Sequence, residues 1–373
     1  MERMVSKAKR KHRILICLAF FTVYIFAAAR PIPQETVLVP RWLSSLESGY
    51  PAGFSGDAGQ EAAESPASAG GLIPFRLGKR FGYVDQEGRF SINQPVAGKL
   101  SLSRDYWAEY EADPESIEIR NPEGGSVLKL ENTRGDPLFL DNRIFLVGDE
   151  QNTLSALDEK GEILWSYDFA APLTCIDAAA GMILTGSLDG AVEVLDASGR
   201  RVFLDRPAGS RISVILGCSF SRDGNMIGII SGIDDQRFLL LERFGTGEYK
   251  VTYHEFLENG FRRPVHVSFI DQDNRIVFER ESGLGIYELN TRISRKLSLK
   301  GEVAALDGAG NDGFLFVISS QGGQEKRLVG IELPGSVIME APFKSSGFFL
   351  ERRGALLYLG GGSALASFKL EKR

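Results

Sequence analysis

From Gly71 onward, apolar runs of four to seven residues alternate with polar turns at intervals of 8–12 residues. No window holds apolar positions at i, i+3, i+4 over a helical length, so the pattern predicts strands throughout. One unit recurs: an alternating strand, an acidic or Asn turn usually closed by Gly, then a second strand. It reads FGYVDQEGRFSI around Asp85, SIEIRNPEGGSVLKL around Asn121, TLSALDEKGEILWSY around Asp158 and AVEVLDASGRRVFL around Asp196. Looser copies turn at Glu242, Asn290 and Glu332. Asp and Asn suit these turns because their side chains bond nearby backbone amides, and Gly supplies a positive φ.

The turns lie 36, 37 and 38 residues apart in the first half and 46, 48 and 42 in the second. A further hairpin precedes most units, as in LTCIDAAAGMILTGSLDG and CSFSRDGNMIGIIS. Four strands in about 40 residues is the period of a β-propeller blade. The expected fold is therefore all-β, a single propeller over residues 72–373. Six four-strand units can be drawn from Lys99 to Phe343, leaving strands at Ile73–Asn93 and Ser345–Leu370. If the N-terminal strands complete the last blade, the ring has seven blades, the preferred count. If each remnant forms its own blade, it has eight.

Upstream the texture changes. Residues 1–13 carry six Lys/Arg against Glu2, and 14–29 form an uncharged apolar run that includes Ile14, Phe20, Phe21 and Ala29. A helix of that length spans about 24 Å, a little under a bilayer core. The basic flank is expected to remain in the cytoplasm. The run reads as an uncleaved transmembrane anchor, with a cleaved signal peptide ending at Ala27–Ala29 as the alternative. Residues 30–71 are rich in Gly, Ala, Ser, Pro and Glu and read as a flexible, disordered linker, with Thr36–Leu46 and its Trp42 more apolar than the rest. The expected location is the cytoplasmic membrane, single pass, with the propeller in the periplasm, or soluble and secreted after cleavage.

The residues also carry family resemblances. CSFSRDGNMIGIIS (Cys218–Ser231) and GSLDGAVEVLD (Gly186–Asp196) resemble strands of WD40 blades, without that family's His and Trp-Asp hallmarks. Ala156-Leu157-Asp158, Gly161 and Trp165 resemble the pyrroloquinoline-quinone-type propeller repeat, which also builds outer-membrane assembly propeller lipoproteins of Gram-negative bacteria. Phe81–Asp85 resembles a WG-type repeat. These resemblances imply a propeller and leave function open.

Charge narrows the partners. Residues 1–71 hold eight of the 43 Lys/Arg and six of the 49 Asp/Glu, so the remainder is near −8. An acidic domain is poorly suited to neutralising phosphates, and no nucleic-acid partner is expected. Catalytic motifs are missing: there is no GxSxG, HExxH or Walker loop. Gly308–Gly313 matches GxGxxG but precedes a strand, where a dinucleotide site requires a helix. Asp271–Asn274 begins like a calcium loop without its glycine or terminal glutamate. His254 and His266 lack a third ligand, and Trp165 reads as blade packing. Cys175 and Cys218 fall in strands and read as free thiols rather than a disulfide. Arg262-Arg263 and Tyr106-Trp107 mark either a partner surface or ordinary structure. No catalytic residue, cofactor or metal is assigned. The expectation is a membrane-tethered, non-enzymatic protein-interaction scaffold in bacterial envelope assembly; the alternative is a channel-mouth enzyme or small-ligand binder.

Overall fold

A computed structural model describes Tyr24 and residues 36–47, 51–53 and 71–372, apart from Thr246, Asn259, Ala309 and Asn311. The chain divides into residues 1–37 with 371–373, and residues 38–370. In the first unit the described residues are Tyr24 and the ends of the strands Thr36–Ser45 and Ala364–Lys372. The second carries eight antiparallel sheets, the blades of a β-propeller.

Blade 1 has three strands, Ile73–Leu77, Arg80–Val84 and Phe90–Pro95. Blades 2–7 have four each, in chain order, over 99–131, 136–168, 173–205, 215–256, 267–298 and 302–344. Blade 8 takes Phe348–Arg353, Leu356–Gly361 and Ala364–Lys372 from the C-terminus, then Thr36–Ser45 and Pro51–Gly53 from the N-terminal side. Second strands are the most buried; in blade 4 every residue of Met182–Ser187 is buried. The first strand of the same blade, Leu173–Ala179, is half-buried beyond Leu173.

The repeated turn has one construction. Gly88, Gly124, Gly161 and Gly199 all sit at positive φ and donate to the carbonyls of Asp85, Asn121, Asp158 and Asp196. Asp158 Oδ1 accepts the amides of Lys160 (2.8 Å) and Glu162 (2.9 Å), and Asp85 and Asp196 do the same two and four residues on. Just beyond this hairpin the register slips in blades 1, 2, 3, 4, 5 and 7. The outer strand thus gains one extra residue: Ser91, Val127, Leu164, Val202, Thr252 or Ile338. Such a bulge re-aims the side chains beside it.

The residue after each bulge docks on the next blade. Ile92 reaches the turn glycine Gly124, Leu128 reaches Gly161, and Trp165 covers Gly199. A Cβ on Gly199 would lie 2.4 Å from the Trp165 ring, so the turn requires glycine both for its φ and for this approach. Trp165 Nε1 also donates to Ala197 O (3.0 Å). Phe203 meets Tyr249 edge-on at 5.2 Å, and Tyr253 stacks on Tyr287 at 4.1 Å. At ring closure Trp42 repeats the geometry: it covers Gly88, donates through Nε1 to Gln86 O (2.8 Å), and is 4 % exposed.

Two expectations about the fold are corrected. The blade count is eight, not seven, because Ile73–Pro95 forms its own sheet and the last blade is completed from Thr36–Ser45. That segment reads as linker because its flanks are Gly/Ala/Ser-rich; what makes it a strand is the waiting edge of Ala364–Lys372 and the pocket for Trp42, neither visible locally. The helix expected ahead of the ring is not shown: every element among the described residues is a strand, and no described helix is long and apolar enough to cross a membrane. Residues 14–29, with Ile14, Phe20, Phe21 and Ala29, lie outside the described residues except Tyr24.

Ring closure through Trp42 gives a direct test. Trp42→Ala is expected to cost about 3–5 kcal/mol, read from urea unfolding, and to open the Thr36–Ser45 strand to proteolysis. Removing residues 1–47 is expected to lower the urea midpoint further, since it also leaves the Ala364–Lys372 edge unpaired.

Candidate functional site

The docking series is uneven, and the member between blades 2 and 3 is flanked by surface grooves. Trp165 and Leu128 hold the same register position, opposite Ala156 and Ile119 and one residue past the bulge. An indole covers the turn glycine at the blade 3–4 seam; at the blade 2–3 seam a leucine must do so. Leu128 and Leu130 are 7 % and 3 % exposed and touch Gly161. On either side of that contact lies a groove of about 570 Å³. One is bounded by Tyr106, Val127, Leu128, Ile144, Leu157 and Leu164, and the other by Lys129–Arg134 facing Gly161–Ile163.

The first groove carries exposed apolar residues beside Asp158, Glu159 and Lys160, and the second is lined mostly by charged and polar side chains. Ile163 and Leu164 are 61 % and 64 % exposed, Val127 is 45 %, and Val202 and Leu204 on the next outer strand remain exposed as well. Val127, Leu164 and Val202 are the bulge residues themselves, so the irregularity that aims Leu128, Trp165 and Phe203 inward leaves an apolar neighbour facing solvent. Val127 and Leu164, from neighbouring blades, line one groove together.

At the floor of the first groove sits Arg143. Its guanidinium stacks 5.0 Å from the Phe145 ring and lies 3.8 Å from Asp141, beyond hydrogen-bond reach. Nε and Nη2 are buried without an acceptor. A buried donor of a charged group left without a hydrogen bond is costly, and here only the long ion pair to Asp141 offsets it.

The inner strands carry two perturbed carboxyls. Burial pushes Asp177 up from the usual carboxylate range, against amide bonds from Phe220 (2.7 Å) and Ala178 (2.8 Å). Burial likewise raises Glu351, opposed by Arg353, whose Nε donates to it at 2.8 Å. The two belong to blades 4 and 8, at opposite positions of an eight-membered ring. Among the described residues no three His, Cys, Asp or Glu side chains converge as a metal site would require.

The residues singled out from sequence fall as follows. Asp85, Asn121, Asp158, Asp196 and Asn290 lie in hairpin turns to the outer strand, whereas Glu242 lies inside the strand Arg237–Phe244 and Glu332 ends Glu325–Glu332. His254 is exposed on the outer strand of blade 5, and His266 precedes the inner strand of blade 6, its amide bonded to Glu279. Arg263 pairs with buried Glu279 at 2.6 Å, while Arg262 is exposed. Gly310 packs on the guanidinium of fully buried Arg352, which Asp312 also binds. Asp271–Asn274 is a turn in which Asp271 pairs with Arg275 and Asp273 with Arg222 (3.5 Å). Tyr106 packs on Phe139, and Trp107 is buried beside Phe81. Reading from sequence missed Arg143 and the bulge residues. A signal existed for the latter: SVL and ILW place neighbouring apolar residues after a Gly turn, where strict alternation allows only one to be buried.

Comparison with known proteins bears on the whole chain. Residues 4–372 match the model of a family described as beta-propeller protein. A relative in Treponema pallidum (strain Nichols), described as an uncharacterized protein, is 26 % identical over 306 residues, covering 81 % of this chain and 79 % of its own. Among solved structures, BamB from Moraxella catarrhalis superposes with a TM-score of 0.58 at 12 % identity, over 89 % of this chain and all of its own. The Dos1 propeller gives 0.57 at 12 %, over 89 % and 95 %. The dihydro-heme d1 dehydrogenase NirN gives 0.52 at 13 %, over 72 % of this chain and 61 % of its own. At these identities the structural likenesses establish the fold alone.

Glu351 supplies a pH test. Its folded value is raised, so the folded protein keeps the proton to higher pH than the unfolded chain does. Stability is therefore expected to fall as pH rises from the ordinary carboxylate range, about 4.3, through the raised folded value. Glu351→Gln is expected to remove that part of the decline, measured as the urea midpoint between about pH 4 and about pH 7.

Proposed function

We propose, from the premise that this chain belongs to the beta-propeller protein family whose model spans it, that it is a non-enzymatic protein-interaction propeller working through the outer seam between blades 2 and 3. The observation that carries the reading is Arg143, with two buried donors and no acceptor, at the floor of a groove rimmed by exposed Val127 and Leu164. A partner segment suited to that seam presents an apolar side chain to the groove and a carboxylate to Arg143. Charge supports this choice, since a planar guanidinium binds a carboxylate through two parallel hydrogen bonds. The channel-mouth enzyme reading finds less support: Asp177 and Glu351 sit on opposite blades, and each already has hydrogen-bond donors. Envelope assembly stays within the proposal as one setting for such a scaffold, on the sequence resemblances alone.

Photo-crosslinking tests the seam. A benzophenone side chain at Leu164, in cells that make the protein, is expected to capture a discrete partner, and Arg143→Ala is expected to cut that yield at least tenfold. The same probe at Val251, an exposed position on blade 5, serves as the comparison. Equal, diffuse yields from both positions would count against the seam.

A further inference from the structure

The two cysteines of the ring stand on neighbouring inner strands, Cys175 in Leu173–Ala179 and Cys218 in Ile215–Phe220. Two side-chain bridges hold these strands in register. Thr174 Oγ1 donates to Ile215 O, and the Phe220 amide donates to Asp177 Oδ2 at 2.7 Å. Between those bridges both cysteines enter the same apolar cluster, with Leu184, Ile215 and Ile229. Cys175 pairs with Gly186 on the second strand, and a Cβ at Gly186 would lie 2.7 Å from the Cys175 sulfur. Cys175 and Gly186 are among the neighbours that perturb the Cys218 thiol, which packs on the same cluster as Cys175. The Cys175 sulfur and the Ile215 side chain thus pack on a position where only glycine leaves room. Neither cysteine is in a disulfide, and both keep partial exposure.

We propose that Cys175 and Cys218 form a paired thiol site that closes to a disulfide under oxidant, tying the inner strands of blades 4 and 5 together. Closure brings the two sulfurs to the bond length of about 2.05 Å between strands that the Thr174 and Asp177 bridges already hold in register. With hydrogen peroxide as oxidant, one thiolate attacks a peroxide oxygen and becomes a sulfenic acid, releasing one water. The second thiolate then displaces the sulfenic hydroxyl as a second water, and the S–S bond forms. Two thiols lose two electrons and two protons, and the peroxide is reduced to two waters. Burial, with Cys175 as neighbour, holds the Cys218 thiol well above its usual range. The thiolate is scarce at neutral pH, and closure accelerates as pH rises.

The test uses the full chain carrying Cys17→Ser, which removes the third cysteine. The folded protein is treated with hydrogen peroxide, denatured, alkylated with N-ethylmaleimide and mapped by mass spectrometry without reductant. The expected result is loss of two alkylatable thiols, a mass lower by two hydrogens, and a linked peptide joining residues 175 and 218. The reaction should run severalfold faster at about pH 9 than at about pH 7. The oxidised protein should melt several degrees higher, reversed by dithiothreitol. Cys218→Ala should instead leave Cys175 as a sulfenic acid trapped by dimedone. Persistence of both thiols, or sulfinic and sulfonic products without a linked peptide, would overturn the proposal.

Discussion

A side chain leaving the outer strand and landing on the next blade, at the turn glycine from blades 1, 2, 3 and 8, is the contact that recurs around the ring. Two local devices make it possible. The turn ends in a glycine at positive φ, which gives the neighbour a flat place to sit, and the bulge that follows swings the next side chain across the seam. Where that residue is an indole, as at Trp165 and Trp42, the seam is sealed and a hydrogen bond is added. Elsewhere, aromatic pairs such as Phe203–Tyr249 and Tyr253–Tyr287 fill the same role.

The candidate surface follows from the same contact where leucine makes it. Leucine has neither the area of tryptophan nor its donor, so the blade 2–3 seam closes at Gly161 and stays open on either side. The bulge that directs Leu128 inward leaves Val127 outside, and at the next blade Leu164 takes that place. Packing and exposure are therefore coupled: one backbone irregularity both holds the blades together and sets an apolar rim on the perimeter. Arg143 adds the polar element, a guanidinium with more buried donors than the fold supplies acceptors.

The interior behaves differently. Buried polar groups there are tied between inner strands, as with Asp177 to the Phe220 amide and Asp307 to the Arg352 amide. These ties set neighbouring inner strands in register without direct backbone pairing, and one such pair of ties brings Cys175 and Cys218 together. Such contacts join residues more than 40 positions apart, and no local pattern announces them.

What the sequence by itself determined is the repeat: alternation gave the strands, and Asp or Asn with a following Gly gave the turns at Asp85, Asn121, Asp158 and Asp196. These are short-range effects of side-chain hydrogen bonding and glycine's φ, legible within a dozen residues. The copies at Glu242 and Glu332 carry Glu in place of Asp or Asn; at Glu242 the turn falls two residues later, whereas Gly335 still donates to the Glu332 carbonyl. Only tertiary structure decided that Thr36–Ser45 completes blade 8 and that the ring has eight blades, because the partner edge and the Gly88 seat for Trp42 lie far away in sequence. The seam site was half visible: neighbouring apolar residues in SVL and ILW marked a departure from alternation, but which of each pair faces out depends on a register slip that only the paired strand imposes. Arg143's missing acceptor is a property of the folded interior alone, since it depends on what every neighbouring blade fails to offer.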